Sequence, residues 1–130
     1  MSSKHPLLAE ILQGESKTLE FKATLPKGDQ LAKTLIAFAN SGGGKLVVGV
    51  DDDRQLVGLM NADIFDLQDK IASIVHELCS PNLLSEIYIE NVAETELLVV
   101  EVSRGALLPY YLKPKEALIK SFVSRPWHAS

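Results

Sequence analysis

The sequence predicts a mixed α/β (α+β) domain, a single mixed β-sheet with helices packed on it. Three observations predict it. Segments with helical apolar spacing alternate with short strands along the 130 residues. One segment, Lys45 to Val50, is almost continuously apolar, as expected of a strand buried on both faces. A hydrophobic content of 46% fills a core and is too high for a disordered chain.

His5 to Gln13 reads as a short helix. Pro6 suits its first turn, Leu7, Leu8, Ile11 and Leu12 form its apolar stripe, and Gly14 is placed to cap it. Thr18 to Lys22 alternates as a strand does, with Leu19 and Phe21 on one face and Thr18, Glu20 and Lys22 on the other. Pro26-Lys27-Gly28-Asp29 is a turn that offers Asp29 as an N-cap. Gln30 to Asn40 has a broad apolar face built on Leu31, Leu35 and Phe38. Asn40-Ser41-Gly42-Gly43-Gly44 stops it. After the Lys45–Val50 strand, Asp51-Asp52-Asp53-Arg54 turns the chain and Gln55 to Leu59 is expected to return as the second strand of a hairpin. Asn61 or Asp63 caps a helix carrying Ile64, Leu67, Ile71, Ile74, Val75 and Leu78, and Pro81 follows its end. Ser85 to Asn91 and Glu96 to Ser103 are strands joined by a short polar turn, the second rich enough in Val and Leu to be central. Three segments are expected: an N-terminal helix over 1–13, the sheet domain over 14–112, and a C-terminal tail over 113–130.

Composition narrows the function classes. No apolar run approaches the roughly 18 residues of a membrane span, and the N-terminus lacks the pattern of a signal peptide, so a cytoplasmic protein with no membrane partner is expected. The single Cys79 excludes an internal disulfide and a cysteine-based zinc site. The net charge of −4 opposes a bulk attraction to nucleic acid. Yet Lys17, Lys22, Lys27, Lys33 and Lys45 all fall in the first half of the chain, where they can form a local basic stripe.

The glycine run invites a phosphate-loop reading, and the match fails. Ala39 stands where a Walker loop needs its first glycine, Leu46 stands where it needs Ser or Thr, and the run leads from helix to strand. The backbone N–H groups of Ser41 to Gly44 still offer a small anion nest. In Asp51-Asp52-Asp53 the last two read as turn residues, and Asp51, nearest the buried strand, is the one best held. Glu20, in a strand that packs on the core, asks for a partner; Lys22 on the same face is the simple one. His5, His76 and His128 are scattered without metal-ligand spacing.

Four blocks in this order resemble the Schlafen AlbA-type domain: Glu15-Ser16-Lys17-Thr18-Leu19-Glu20-Phe21-Lys22, Ile36-Ala37-Phe38-Ala39-Asn40-Ser41-Gly42-Gly43-Gly44, Val48-Gly49-Val50-Asp51-Asp52-Asp53 and Val57-Gly58-Leu59. The resemblance runs from about Leu7 to Tyr111, ending on Pro109-Tyr110-Tyr111, whereas Leu118 to His128 does not match. It implies the DNA-binding domain found at the front of many bacterial transcriptional regulators. In animal relatives two such lobes cradle structured RNA, and some cleave it with a carboxylate triad and a divalent metal. By motif position that triad falls on Glu15, Glu20 and Asp51.

The leading expectation is therefore a nucleic-acid-binding domain of transcriptional-regulator type, DNA favoured over RNA, with no cofactor and working as a homodimer. Lys17, Lys22, Lys27 and Lys45 would contact phosphates, helped by Ser41, Gly42, Gly43 and Gly44. The first alternative is a nuclease in which Glu15, Glu20 and Asp51 hold Mg²⁺ or Mn²⁺; it requires the three carboxylates to converge. The second is a protein-interaction or dimerisation module, which the acidic balance favours.

Overall fold

The computed structural model describes residues 5–60 and 62–113. Helix α1 (Pro6–Gln13) begins with His5 as N-cap, whose Nδ1 accepts the Leu7 N–H at 3.1 Å, and ends at Gly14 with φ 99°. Strand β1 (Leu19–Lys22) follows a tight turn in which Ser16 and Leu19 pair. Helix α2 (Gly28–Asn40) crosses to β2 (Gly44–Val48), which lies parallel to β1. Helix α3 (Ile64–Leu78) is capped by Asp63, whose side chain accepts the Phe65 and Asp66 N–H groups. Then come β3 (Cys79–Ser80), β4 (Ser85–Val92), β5 (Thr95–Val102) and β6 (Tyr111–Leu112).

The main sheet runs β1-β2-β5-β4, with β2–β5 and β5–β4 antiparallel; β3 and β6 form a separate two-stranded sheet. As the hydropathy predicts, β2 and β5 are central and buried on both faces. On one face Leu46, Val48, Leu98 and Val100 meet α2 and α3 through Leu31, Leu35 and Ile71. On the other, Phe21, Val47, Val50 and Val99 meet Leu7 and Ile11 of α1. Each such side chain taken fully out of water contributes roughly 1.5–3 kcal/mol, so the first helix belongs to the same folded unit.

Two expectations are corrected. The second helix starts two residues early, at Gly28; Asp29 sits in its first turn, and the N-cap is Lys27, without a side-chain cap bond. Gln55 to Leu59 forms no strand beyond a single bridge between Val50 and Leu56. Gly49 (φ 111°) and Gly58 (φ 74°) bend the backbone there, and the N–H groups of Val57 and Gly58 both converge on the Gly49 carbonyl. The β3–β6 pair was not foreseen, because two-residue strands carry no periodicity. The Asn61 cap and the tail from 114 onward lie outside the described residues.

Candidate nucleic-acid interface

The glycine-rich loop joins the C-terminus of α2 to β2, and its backbone is largely committed to closing that helix. The Ser41 and Gly43 N–H groups both donate to the Phe38 carbonyl, at 3.1 and 2.9 Å, and the Ser41 hydroxyl donates to the Ala37 carbonyl at 2.7 Å. The Gly105 N–H donates to the Ala39 carbonyl at 2.9 Å. Ser41 to Gly44 thus do not form the expected nest of free donors, and the negative end of the helix dipole lies beside them.

The three glycines differ. A Cβ on Gly44 would strike the Phe38 ring, and one on Gly43 (φ 91°) would lie 2.8 Å from the Val102 carbonyl oxygen. Gly42 has no positive φ, is exposed, and a Cβ there would meet nothing within 4 Å. Neither sterics nor backbone conformation requires glycine at this position. The loop lines a groove of about 350 Å³ shared with Glu10, Thr18, Lys45, Glu101 and Arg104. Arg104 follows the central strand and is brought to the loop because Gly44 pairs with Val102. It is a functional candidate the sequence reading missed; its position just past the richest Val/Leu strand was the available signal.

The lysines do not form one stripe. Lys45 lies level with Leu19, and its Nζ pairs with Glu10 of α1 at 3.3 Å. Lys17, in the turn before β1, lies at this same end. Lys22 lies level with Val48, three residues further along the sheet, roughly 10 Å at the usual rise. It emerges on the α2 face beside Glu20, with 3.9 Å between Nζ and the carboxylate. Lys27 lies beyond it, on a separate groove of about 620 Å³ lined by Leu25, Pro26, Leu67 and Ile74.

The carboxylates separate too. Glu15 Oε2 accepts the Phe21 N–H at 2.9 Å, an edge donor of β1 that faces away from β2. Asp51 Oδ1 accepts the N–H groups of Asp53 and Gln55, both at 2.9 Å, which makes it the anchor of its turn. Glu15 and Asp51 share a pocket of about 200 Å³ with Asp52 and Arg54. Glu20 is not part of it: its carboxylate accepts from the largely buried Thr34 hydroxyl at 3.4 Å and faces Lys22. Among the described residues no group of three or more His, Cys, Asp or Glu side chains is placed to hold a metal ion. The donor set therefore does not fit the divalent ion that the triad reading needs, and the simple Glu20–Lys22 pair is the one observed.

The sequence profile of the Schlafen, AlbA_2 family matches residues 15–125. The chain belongs to that family. The match continues past Tyr111, so the family likeness extends into the tail that the motif reading had left unmatched. Among solved structures, this AlbA_2 chain is similar to the N-terminal domain of a Nitrosomonas europaea protein named for its relation to the ATP-dependent DNA helicase RecG. The identity is 33%, the TM-score 0.69, and the likeness covers 83% of this chain and 78% of that one. A Corynebacterium diphtheriae protein shares the fold at 19% identity and TM-score 0.53, over 79% of this chain and 22% of that one. An uncharacterized ATP-binding protein of Ureaplasma parvum is 33% identical over 73 residues, which cover 53% of this chain and 21% of that relative. The AlbA_2 chain thus spans about a fifth of the length of that curated relative. Among its described residues no helix is long and apolar enough to cross a membrane.

Proposed function

We propose that this AlbA_2 domain binds nucleic acid through the end of the sheet where the α2–β2 loop meets Arg104. The observation that carries the proposal is Gly42, an exposed glycine with no internal reason to be one, in one groove with Lys45 and Arg104. A missing side chain sharing a groove with two cations lets a sugar-phosphate backbone approach closely. The DNA-helicase name of the Nitrosomonas relative's parent protein supports the same direction. Lys45 and Arg104 are matched by Glu10 and Glu101 in the same groove, so a single copy binds weakly, and these contacts position the strand without reading bases. A transcriptional regulator with DNA as its target is the finer reading, and two copies side by side would supply the affinity that one lacks.

The test is a titration with labelled single-stranded DNA, duplex DNA and structured RNA, in EDTA and then Mn²⁺, at two salt concentrations. Salt-sensitive binding without cleavage, weakened by Gly42→Glu and Arg104→Glu, is the expected result. Silence on all three probes at low salt, with protein well above micromolar, would overturn the proposal. Mn²⁺-dependent cleavage lost in Glu20→Gln would replace it with the nuclease.

A further inference from the structure

The two edges of the main sheet are built differently. At the β1 edge, Glu15 covers the outward Phe21 N–H at 2.9 Å, and the Ser16–Leu19 turn folds across the strand end. At the other edge β4 is eight residues long, lacks proline and glycine, and holds unbroken register with β5 from Ser85–Val102 to Val92–Thr95. Among the described residues nothing pairs with its outer side. The two-residue turn at Ala93-Glu94, with φ of 51° and 62°, makes Val92–Thr95 a hydrogen-bonded pair. Alternation then turns the N–H and C=O groups of Glu86, Tyr88 and Glu90 toward β5. Those of Ser85, Ile87, Ile89 and Asn91 point outward. A long, unpaired edge of this kind is a template for another strand.

The side chains specify which strand. Glu86, Tyr88 and Glu90 share one face of β4, and Glu101 lies directly opposite Glu86 in register. Like charges opposite one another destabilise a sheet. Local relief is limited: the Tyr88 hydroxyl donates to Glu101 at 2.7 Å, His5 reaches Glu90 at 3.3 Å, and Lys45 is spent on Glu10. Burial first, then Glu101, Glu90 and Glu86, push the Tyr88 hydroxyl well above its ordinary range. A second copy in the register centred on Tyr88 is a poor occupant. An antiparallel β4–β4 pair centred on Tyr88 sets Glu86 against Glu90 twice.

We propose that the outer edge of β4 docks a basic, extended segment of a partner protein by β-strand addition, its alternate Lys or Arg side chains lying over Glu86 and Glu90. The backbone of Ser85, Ile87, Ile89 and Asn91 supplies the hydrogen bonds, and the glutamates supply the choice of partner.

The probe is a fluorescent eight-residue peptide alternating Lys and Val, titrated into the full chain. A Glu/Val peptide of the same length and a Lys/Val peptide N-methylated on alternate amides serve as controls. The Lys/Val peptide is expected to bind, N-methylation to weaken it at least tenfold, and the Glu/Val peptide to stay free. Ile87→Pro removes an outward N–H that β5 does not use and should abolish binding, with folding checked by circular dichroism. Should that variant fail to fold, the Glu86→Lys/Glu90→Lys variant decides, since it should exchange the two peptides' affinities. Equal binding of the methylated and unmethylated peptides would overturn the proposal, as would a charge swap without effect. Exchange-protected outward amides in a chain that refuses the peptide would show the edge already covered. Self-association abolished by Ile87→Pro would give the edge to a second copy.

Discussion

At Gly43 and Gly44 a single methyl group decides whether the end of α2 can meet the sheet. Gly43→Ala must carry a left-handed backbone and a close approach to the Val102 carbonyl, and Gly44→Ala must displace the Phe38 ring. Each is expected to cost about 2–3 kcal/mol. Gly42→Ala should stay within about 0.5 kcal/mol of the parent, because its Cβ would occupy open space. Urea unfolding of the three variants checks this, and a destabilised Gly42→Ala would remove the reason for assigning that glycine to binding. Cys79 makes a second prediction. It is fully buried, and burial pushes its thiol from 9.0 up to about 11 against a small opposing effect of Lys113. The folded state therefore favours the neutral thiol. Its contribution is complete below pH 9, where the unfolded thiol is also neutral, and is lost as pH rises toward 11. Unfolding free energy should fall more steeply between pH 9 and 11 in the parent than in Cys79→Ala.

The elements differ in how they were encoded. Helix α3 could be read directly, since Ile64, Leu67, Ile71, Ile74, Val75 and Leu78 repeat at helical spacing behind Asp63. So could β2 and β5, whose unalternating Val and Leu have no use outside a sheet centre. Elements made by contacts between distant residues were not legible. Asn40 reads as a helix stop, yet its side chain donates to the Tyr110 carbonyl at 2.9 Å and accepts the Tyr110 N–H at 2.7 Å. It thereby holds the Pro-Tyr segment against α2 as a strand would. Asn40→Ala strips both bonds from the backbone of the buried Tyr110 and should cost about 1–3 kcal/mol, seen as a lower urea midpoint with an unchanged slope. The β4–β5 turn points the other way. Ala93 and Glu94 both adopt left-handed φ, the conformation that Asn-Gly prefers. The Ala93→Asn/Glu94→Gly double variant should gain about 1–2 kcal/mol by relieving that strain, visible as a higher melting temperature. The candidate site was legible in part. The loop was found by its glycines, but the commitment of its N–H groups depends on where α2 ends, and Arg104 arrives only through the β2–β5 register.

Across the whole molecule, charge is sorted by location more than by amount. Lys45, Arg104 and Lys17 mark the end of the sheet around the glycine loop, where Glu10 and Glu101 oppose them, while Glu86 and Glu90 mark the β4 edge. A net charge of −4 opposes a bulk attraction to nucleic acid, so the proposed binding rests on the local cations of the groove. The strength of binding should then be governed by how many phosphates those few cations neutralise. With two or three contacts, the logarithm of the duplex binding constant should fall with the logarithm of salt at a slope of about −2 to −3. Arg104→Gln removes one contact and should lower the slope by about 1. Lys45→Gln should change it less, because the lysine is already paired with Glu10 at 3.3 Å and must give up that partner to reach a phosphate. The double variant Lys45→Gln/Glu10→Gln tests the reasoning directly. If the groove is the interface, removing the pair together should restore most of what Lys45→Gln alone loses, since the remaining carboxylate repels the phosphate. Fluorescence anisotropy over a salt series measures all three. Slopes that stay equal to the parent's in every variant would place the phosphate contacts elsewhere on the molecule.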